Sequence, residues 1–430
     1  MITRRTFSRS VLAGGAALLA GREVAITGAL AADAQSGAKE KSYEGTNEIA
    51  RKYDLLIKDG TVIDPGQSMH TVADVALNDG RVVQVAPDIP ESDARVVFSA
   101  KGKIVTPGMI DLHVHCYNGV DQGIPADHYC LGRGTTTCVD AGSTGYVAIR
   151  RFVMDVVDTT ITRVFALVHI GGIGAETGLP RAMENMAWED PRLCAKAIAN
   201  NRPAVVGVKV HLSKERSTNP KDNELVFLDK GLEAAEATHL PMMVHINNTY
   251  RPLPAILNKL RKGDIFTHCF NAFPQDSPLD ANGKLLPEVV EARARGVVFD
   301  IAAGSAHPHF SFDVAEKCLQ QGFLPDTIST DLDGPHVGGT DLPIIITKLM
   351  ALGMTVEKAV ELTTVKPAAV FDFGIPIGTL KPGSEGDVGI FELHEGRFDL
   401  VDGIGAKRTA RQKLVNVAAA CRGQLYVNRI

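Results

Sequence analysis

Between residues 106 and 369 the chain repeats one pattern: a short run of apolar and β-branched residues, then, in most cases, a longer segment mixing apolar and charged positions. The runs are Met109–His115, Thr135–Asp140, Val164–Ile170, Ala204–Leu212, Pro241–Ile246, Asp264–Cys269, Val297–Ile301 and Thr327–Leu332. Lys230–Thr238, Pro287–Arg295 and Ala315–Gln321 show the clearest helical mixture between them. Strands that alternate with helices must return along the opposite layer, so they build a parallel sheet. Eight strands is the count of a closed (β/α)8 TIM barrel, whose usual size is about 250 residues. A doubly wound open sheet is the alternative.

The two ends of the chain read differently. Residues 53–64 suggest two short strands around an Asp59-Gly60 turn, and residues 75–85 a second pair around Asp79-Gly80. The strand-and-turn character resumes at Gly378–Gly383 and at Asp387–Leu393. A small β-sandwich is therefore expected from residues 53–105 and 370–430, with the barrel of residues 106–369 inserted into it. Ahead of a linker at 32–52, residues 1–31 hold paired arginines, Arg4 and Arg5, a weakly apolar run from Val11 to Ala20, and the small-residue site Ala29-Leu30-Ala31. A basic region, a short apolar region and such a site form an export signal, of the twin-arginine type where two arginines adjoin. The expectations are passage through the twin-arginine export machinery and a periplasmic location.

Composition removes several classes of partner. A net charge of -5 offers no attraction to nucleic acid or an anionic membrane surface. Outside the signal no run reaches the roughly 18 apolar residues of a membrane span. The seven cysteines include no CxxC pair, which argues against a zinc ribbon or a disulfide framework. A small-molecule substrate fits this profile, and a homo-oligomer is compatible with it.

The chemistry gathers at the ends of the expected strands. In Asp111-Leu-His-Val-His115, His113 and His115 alternate and so share one strand face, from which both can reach one metal ion. His245 closes the fifth run, His268 the sixth, and Asp331 stands near the end of the eighth. Lys209 lies inside the fourth, where a bare ammonium facing a barrel interior needs a partner. Any one of these could be a core histidine, a capping aspartate or a snorkelling lysine. Six of them at strand ends, where barrel enzymes keep their active sites, form a pattern. His169 ends the third run as a substrate-facing candidate. His211 shares a face with Lys209 and is its rival, Asp333 is the rival of Asp331, and Gly304-Ser305 could offer donors to a substrate.

The chain resembles the dihydroorotase-like branch of the amidohydrolase superfamily, especially its amidohydrolase/deacetylase metallohydrolases. The likeness runs from about residue 53 to the C-terminus and is carried by Lys103–His115, Gly134–Ser143, Val206–Lys209, Phe312–Glu316 and Gly322–Leu332. It implies two divalent metal ions, zinc by preference, with manganese, iron and cobalt as alternatives. His113, His115 and Asp331 would hold the more buried ion, and His245 and His268 the other. The resemblance also implies a carbamate (N6-carboxylysine) at Lys209 bridging the two. A bridging hydroxide would attack the scissile carbonyl, with Asp331 as the catalytic base. The expected reaction is cleavage of an amide or ester bond, deacylase- or deacetylase-like. The runner-up is a cyclic-amide hydrolase of dihydroorotase or dihydropyrimidinase type, disfavoured because Cys116-Tyr-Asn follows the HxH where those enzymes commonly place an arginine. A non-catalytic binding homologue is disfavoured because all six ligand residues are present.

Overall fold

The computed structural model of the chain describes residues 51–118, 122–175, 186–214, 223–304, 308–334 and 340–428. The export signal and nearly all of the linker lie outside these residues.

Five strands come first: β1 (Tyr53–Asp64), β2 (Met69–Asn78), β3 (Arg81–Ala86), β4 (Ala94–Ser99) and β5 (Ile104–Pro107). Seven more follow in the middle of the chain: β6 (Met109–Val114), β7 (Thr135–Gly145), β8 (Arg163–His169), β9 (Val205–Ser213), β10 (Met242–Asn247), β11 (Ile265–Thr267) and β12 (Val298–Asp300). The last three are β13 (Val388–Val401), β14 (Lys407–Cys421) and β15 (Gln424–Val427). Strands from both ends of the chain make one sheet in the order β15-β14-β13-β5-β1-β2-β3, which forks where β4 also pairs with β1.

Asp79-Gly80 is the expected hairpin turn, with both residues at positive φ as a two-residue turn of this kind demands. Asp59-Gly60 is not a turn. β1 runs straight through it as a single strand, and the pair forms an irregularity against β2. Asp59 takes a left-handed backbone and gives its N–H to Asp74 Oδ1 at 2.8 Å, while a Cβ on Gly60 would collide with Val105. Close packing against β5 therefore selects glycine there, and a bulge results.

The seven middle strands form one sheet in chain order from β6 to β12, every pair parallel. The expected helices appear, extended in two cases, as Glu224–Thr238, Pro287–Arg295 and Phe312–Gln320. The expected eighth strand departs from prediction. Residues 327–332 make single parallel bridges, Thr327 to Asp300 on β12 and Leu332 to Val114 on β6, without a regular ladder. Asp331 has φ 56°, which breaks the extended run, yet its N–H still reaches His113 O at 2.8 Å.

Alternation within the strands sorts their side chains. On β8, β9 and β10, Ala166, Val168, Val208, Val210, Met242 and Val244 belong to the large core shared with the helices. The opposite faces carry Phe165, Leu167 and Met243, which pack with Phe371 and Phe373. This second face is apolar toward the strands' N-terminal ends and becomes polar toward their C-terminal ends, where His169, Lys209, His211 and His245 continue it. The two sheets are tied together by Arg163, which begins β8, bonds Asp387 Oδ2 at 2.9 Å and pairs with Glu385, just ahead of β13.

Candidate metal centre

Four side chains expected from sequence converge most tightly. His113, His245, His268 and Asp331 each offer a ligand atom, all four atoms lie within 4.8 Å of one another, and all four residues are buried. Asp331 stands at the centre. Its Oδ1 is 3.1 Å from His113 Nε2 and 3.5 Å from His115 Nε2, while Oδ2 is 3.9 Å from His268 Nε2. His268 Nε2 is 2.8 Å from His245 Nδ1. Lys209 Nζ lies 2.9 Å from His113 Nε2, with Met243 Sδ at 3.6 Å. All six expected ligands thus meet at the C-terminal end of the parallel sheet.

Local backbone explains part of this convergence. His268 and Asp331 both adopt left-handed conformations, at φ 66° and 56°, and Ala302 does so at 43°. Such conformations in non-glycine residues cost on the order of 1–3 kcal/mol each and persist where the surrounding fold holds them. The first two bring ligand-type side chains into the group, His268 just past β11 and Asp331 within the singly bridged segment. Asp111 anchors the Asp331 segment from β6, with Oδ2 accepting from Thr330 Oγ1 at 2.6 Å and Oδ1 from Thr330 N at 3.1 Å. Gly142, at φ 82°, leaves the space that Lys209 occupies, since a Cβ there would lie 2.7 Å from Lys209 Cβ.

Electrostatics set the protonation states. Burial, and next the charge of Lys209, pull His113 down to about 3. Burial and neighbouring imidazoles hold His245 and His268 well below the usual histidine range. Burial opposes the Asp331 anion, but the imidazoles around it outweigh that and hold its carboxyl well below the usual range. The site therefore combines neutral imidazoles with an ionised carboxylate, the forms that bind divalent metals. With His113 Nε2 and His115 Nε2 at 3.1 and 3.5 Å from Asp331 Oδ1, positive charge placed among the three atoms would hold them together. Nitrogen and oxygen donors of this kind suit zinc and its neighbours in the first transition row.

The second-rank candidates are distributed unevenly. His169 lies beside Lys209 in the β8–β9 register. Its Nδ1 accepts Gly171 N–H at 2.9 Å, and its Nε2 is buried without a hydrogen-bond partner. His211 sits opposite His245 in the β9–β10 register, with ring centroids 3.8 Å apart. Ser305 lies outside the described residues. Asp333 is buried but does not join the tight four-residue group. Cys116 is buried within the apolar core.

His309 was not foreseen from sequence. Its Nδ1 is 3.3 Å from Asp331 Oδ2, and its ring stacks on His268 with centroids 3.9 Å apart. It follows β12 in an irregular segment with no strand alternation to flag it. The only sequence signal was a second histidine two residues after His307.

Three imidazoles and one carboxylate at the C-terminal end of a parallel βα sheet form a group that could hold a metal ion, at the end where βα enzymes keep their active sites. Comparison with known proteins gives the family. The model of the amidohydrolase family matches residues 104–420. A deacetylase of Enterococcus faecalis is 32% identical over 387 residues, covering 87% of this chain and all of the relative. A deacetylase of Brucella anthropi is 30% identical, covering 82% of each. Among solved structures, an adenine deaminase superposes with TM-score 0.79 at 31% identity, over 87% of this chain and all of that one. A dihydroorotase superposes with TM-score 0.75 at 25% identity, over 87% of this chain and 97% of that one. The chain belongs to the amidohydrolase family and is a hydrolytic enzyme.

Proposed function

We propose that this protein is a metal-dependent hydrolase that cleaves an amide or ester bond in a small molecule, in the manner of a deacylase or deacetylase, inside a closed (β/α)8 barrel. The observation that carries the reading is the convergence of His113, His245, His268 and Asp331 ligand atoms within 4.8 Å. The deacetylase names of the relatives support the reaction class. The single bridges from residues 327–332 to β12 and β6 support closure.

Divalent ions held there would polarise the scissile carbonyl and lower the pKa of the attacking water. His113 and His115, with Asp331, would hold the more buried ion, and His245 and His268 the other. Lys209, as a carbamate, would join the two, exchanging a buried cation for an anion matched to metal charge. Asp331 Oδ2, on the His309 side of the carboxylate, would take the proton of the attacking water and return it to the leaving group. His169, His211 and Ser305 would face the substrate.

A second reading, one ion bound by the four convergent residues alone, is favoured by the tightness of that group, which leaves out His115. Elemental analysis separates the readings. Screening the metal-loaded protein against N-acyl amino acids, acyl esters, lactams and cyclic imides tests the reaction itself. Turnover confined to the cyclic substrates would transfer the assignment to a cyclic-amide hydrolase, and none at all would contradict the deacylase reading.

We also infer twin-arginine export to the periplasm from Arg4 and Arg5. Replacing both by lysine should leave precursor in the cytoplasm, and efficient export of that variant would contradict the route.

A further inference from the structure

Two buried carboxylates that are not metal ligands are linked to the HxH pair, each through a single hydroxyl. Asp300, at the end of β12, is fully buried. Its Oδ2 accepts from Thr267 Oγ1 at 2.8 Å and Ser329 Oγ at 2.6 Å, and its Oδ1 accepts from Thr327 Oγ1 at 2.7 Å. A hydroxyl has one hydrogen, so Thr267 has none left for its other neighbour, His113 Nδ1 at 3.0 Å. That contact forms only if Nδ1 carries the hydrogen. The same logic runs on β7. Ser143 Oγ donates to Asp140 Oδ2 at 2.6 Å and lies 3.0 Å from His115 Nδ1. Asp140 is itself pinned by Ser143 N at 2.8 Å and Cys116 N at 2.9 Å.

We infer that Asp300 acting through Thr267, and Asp140 acting through Ser143, are positioning residues that lock His113 and His115 as Nδ1–H tautomers with their Nε2 lone pairs turned toward Asp331. The two relays approach the HxH strand from different elements, one from β11 and β12 and the other from β7. Neither ring can turn over without breaking its bond to a hydroxyl that is already committed. The partner on one ring nitrogen decides what the other nitrogen can bind, and such outer partners contribute about 10- to 100-fold in metal affinity. The inference rests on the metal-site reading but concerns the tautomers, which exist without metal.

The test uses the full-length metal-free protein and the variants Thr267→Val, Thr267→Ser and Ser143→Ala. Long-range 15N–1H spectra should place the hydrogen on Nδ1 of both His113 and His115 in the unsubstituted protein. Zinc affinity, measured by competition with a chromogenic chelator, should fall about 10- to 100-fold in Thr267→Val and in Ser143→Ala, and stay within about threefold in Thr267→Ser, which keeps the hydroxyl. Hydrogen on Nε2 of either ring, or unchanged zinc affinity in folded Thr267→Val, overturns the relay. Nδ1–H tautomers in a protein that binds no zinc would uphold the relay and remove the metal reading beneath it.

Discussion

Asp331 is the residue on which the most geometry meets, with Oδ1 toward the two β6 histidines and Oδ2 toward His268 and His309. Asp331→Asn keeps its shape and one ligand oxygen but removes the base. Steady-state kinetics should show kcat falling by about 10²- to 10⁴-fold with metal content little changed. An unchanged kcat would move the role to Asp333. The converging positions were legible because all but Lys209, which lies inside its run, stand at or near the end of an apolar run, where residue type and alternation together mark an inward polar side chain. Thr267, Ser143 and His309 were not. A hydroxyl in a strand reads as ordinary β-propensity, and the partners that give it meaning, Asp300 for Thr267 and Asp140 for Ser143, appear only on folding. His309 lacks even that alternation, since it sits in an irregular loop.

At the scale of single elements, the seven strands of the central sheet were legible to within a few residues, and the departures share a cause. Left-handed residues ended or bent what the pattern read as continuous or as a turn: Asp331 in the eighth run, His268 after β11, Asp59 in β1. Propensity does not register a conformation that tertiary contacts impose. The segment after the β8 end offers a measurable consequence. Glu189 bridges to Gly171, is almost wholly buried, and has neither carboxylate oxygen in a hydrogen bond. Burial, opposed in part by Lys230, raises its carboxyl from 4.5 to about 7. The folded protein therefore binds this proton more tightly than the unfolded chain does. The stability linked to it is fully present below about pH 4.5 and is lost as pH rises through about 7. Glu189→Gln should remove that loss. Thermal melts at pH 8 should show the variant more stable by about 1–3 kcal/mol, with the difference vanishing toward pH 5. A constant difference across that range would mean that Glu189 keeps an ordinary carboxyl.

Across the whole molecule, the central sheet and the sheet from the chain ends depend on one another through Arg163. Its guanidinium is paired with Asp387 and Glu385, all three being largely buried. Arg163→Ala would leave Asp387 without its side-chain partner and Glu385 with Arg81 alone, and breaking such a buried pair costs about 3–5 kcal/mol. Urea unfolding should show a loss of that order; a loss under about 1 kcal/mol would mean the sheets hold together by apolar packing alone. That both ends contribute to one sheet was readable from turn signals and alternation. The tie itself was not, because Arg163 and Glu385 lie 222 residues apart in sequence. On the proposed reading, hydrolysis depends on metal held at the His113–Asp331 cluster. That dependence is tested most directly by stripping the protein of metal and restoring zinc stepwise, with bicarbonate present, while following hydrolysis of the best substrate from the screen. No turnover is expected in the metal-free protein, and activity should rise and level off at about two equivalents per chain, more slowly and less completely when bicarbonate is withheld. Turnover in rigorously metal-free protein equal to that of the zinc-loaded form would contradict the proposed reading.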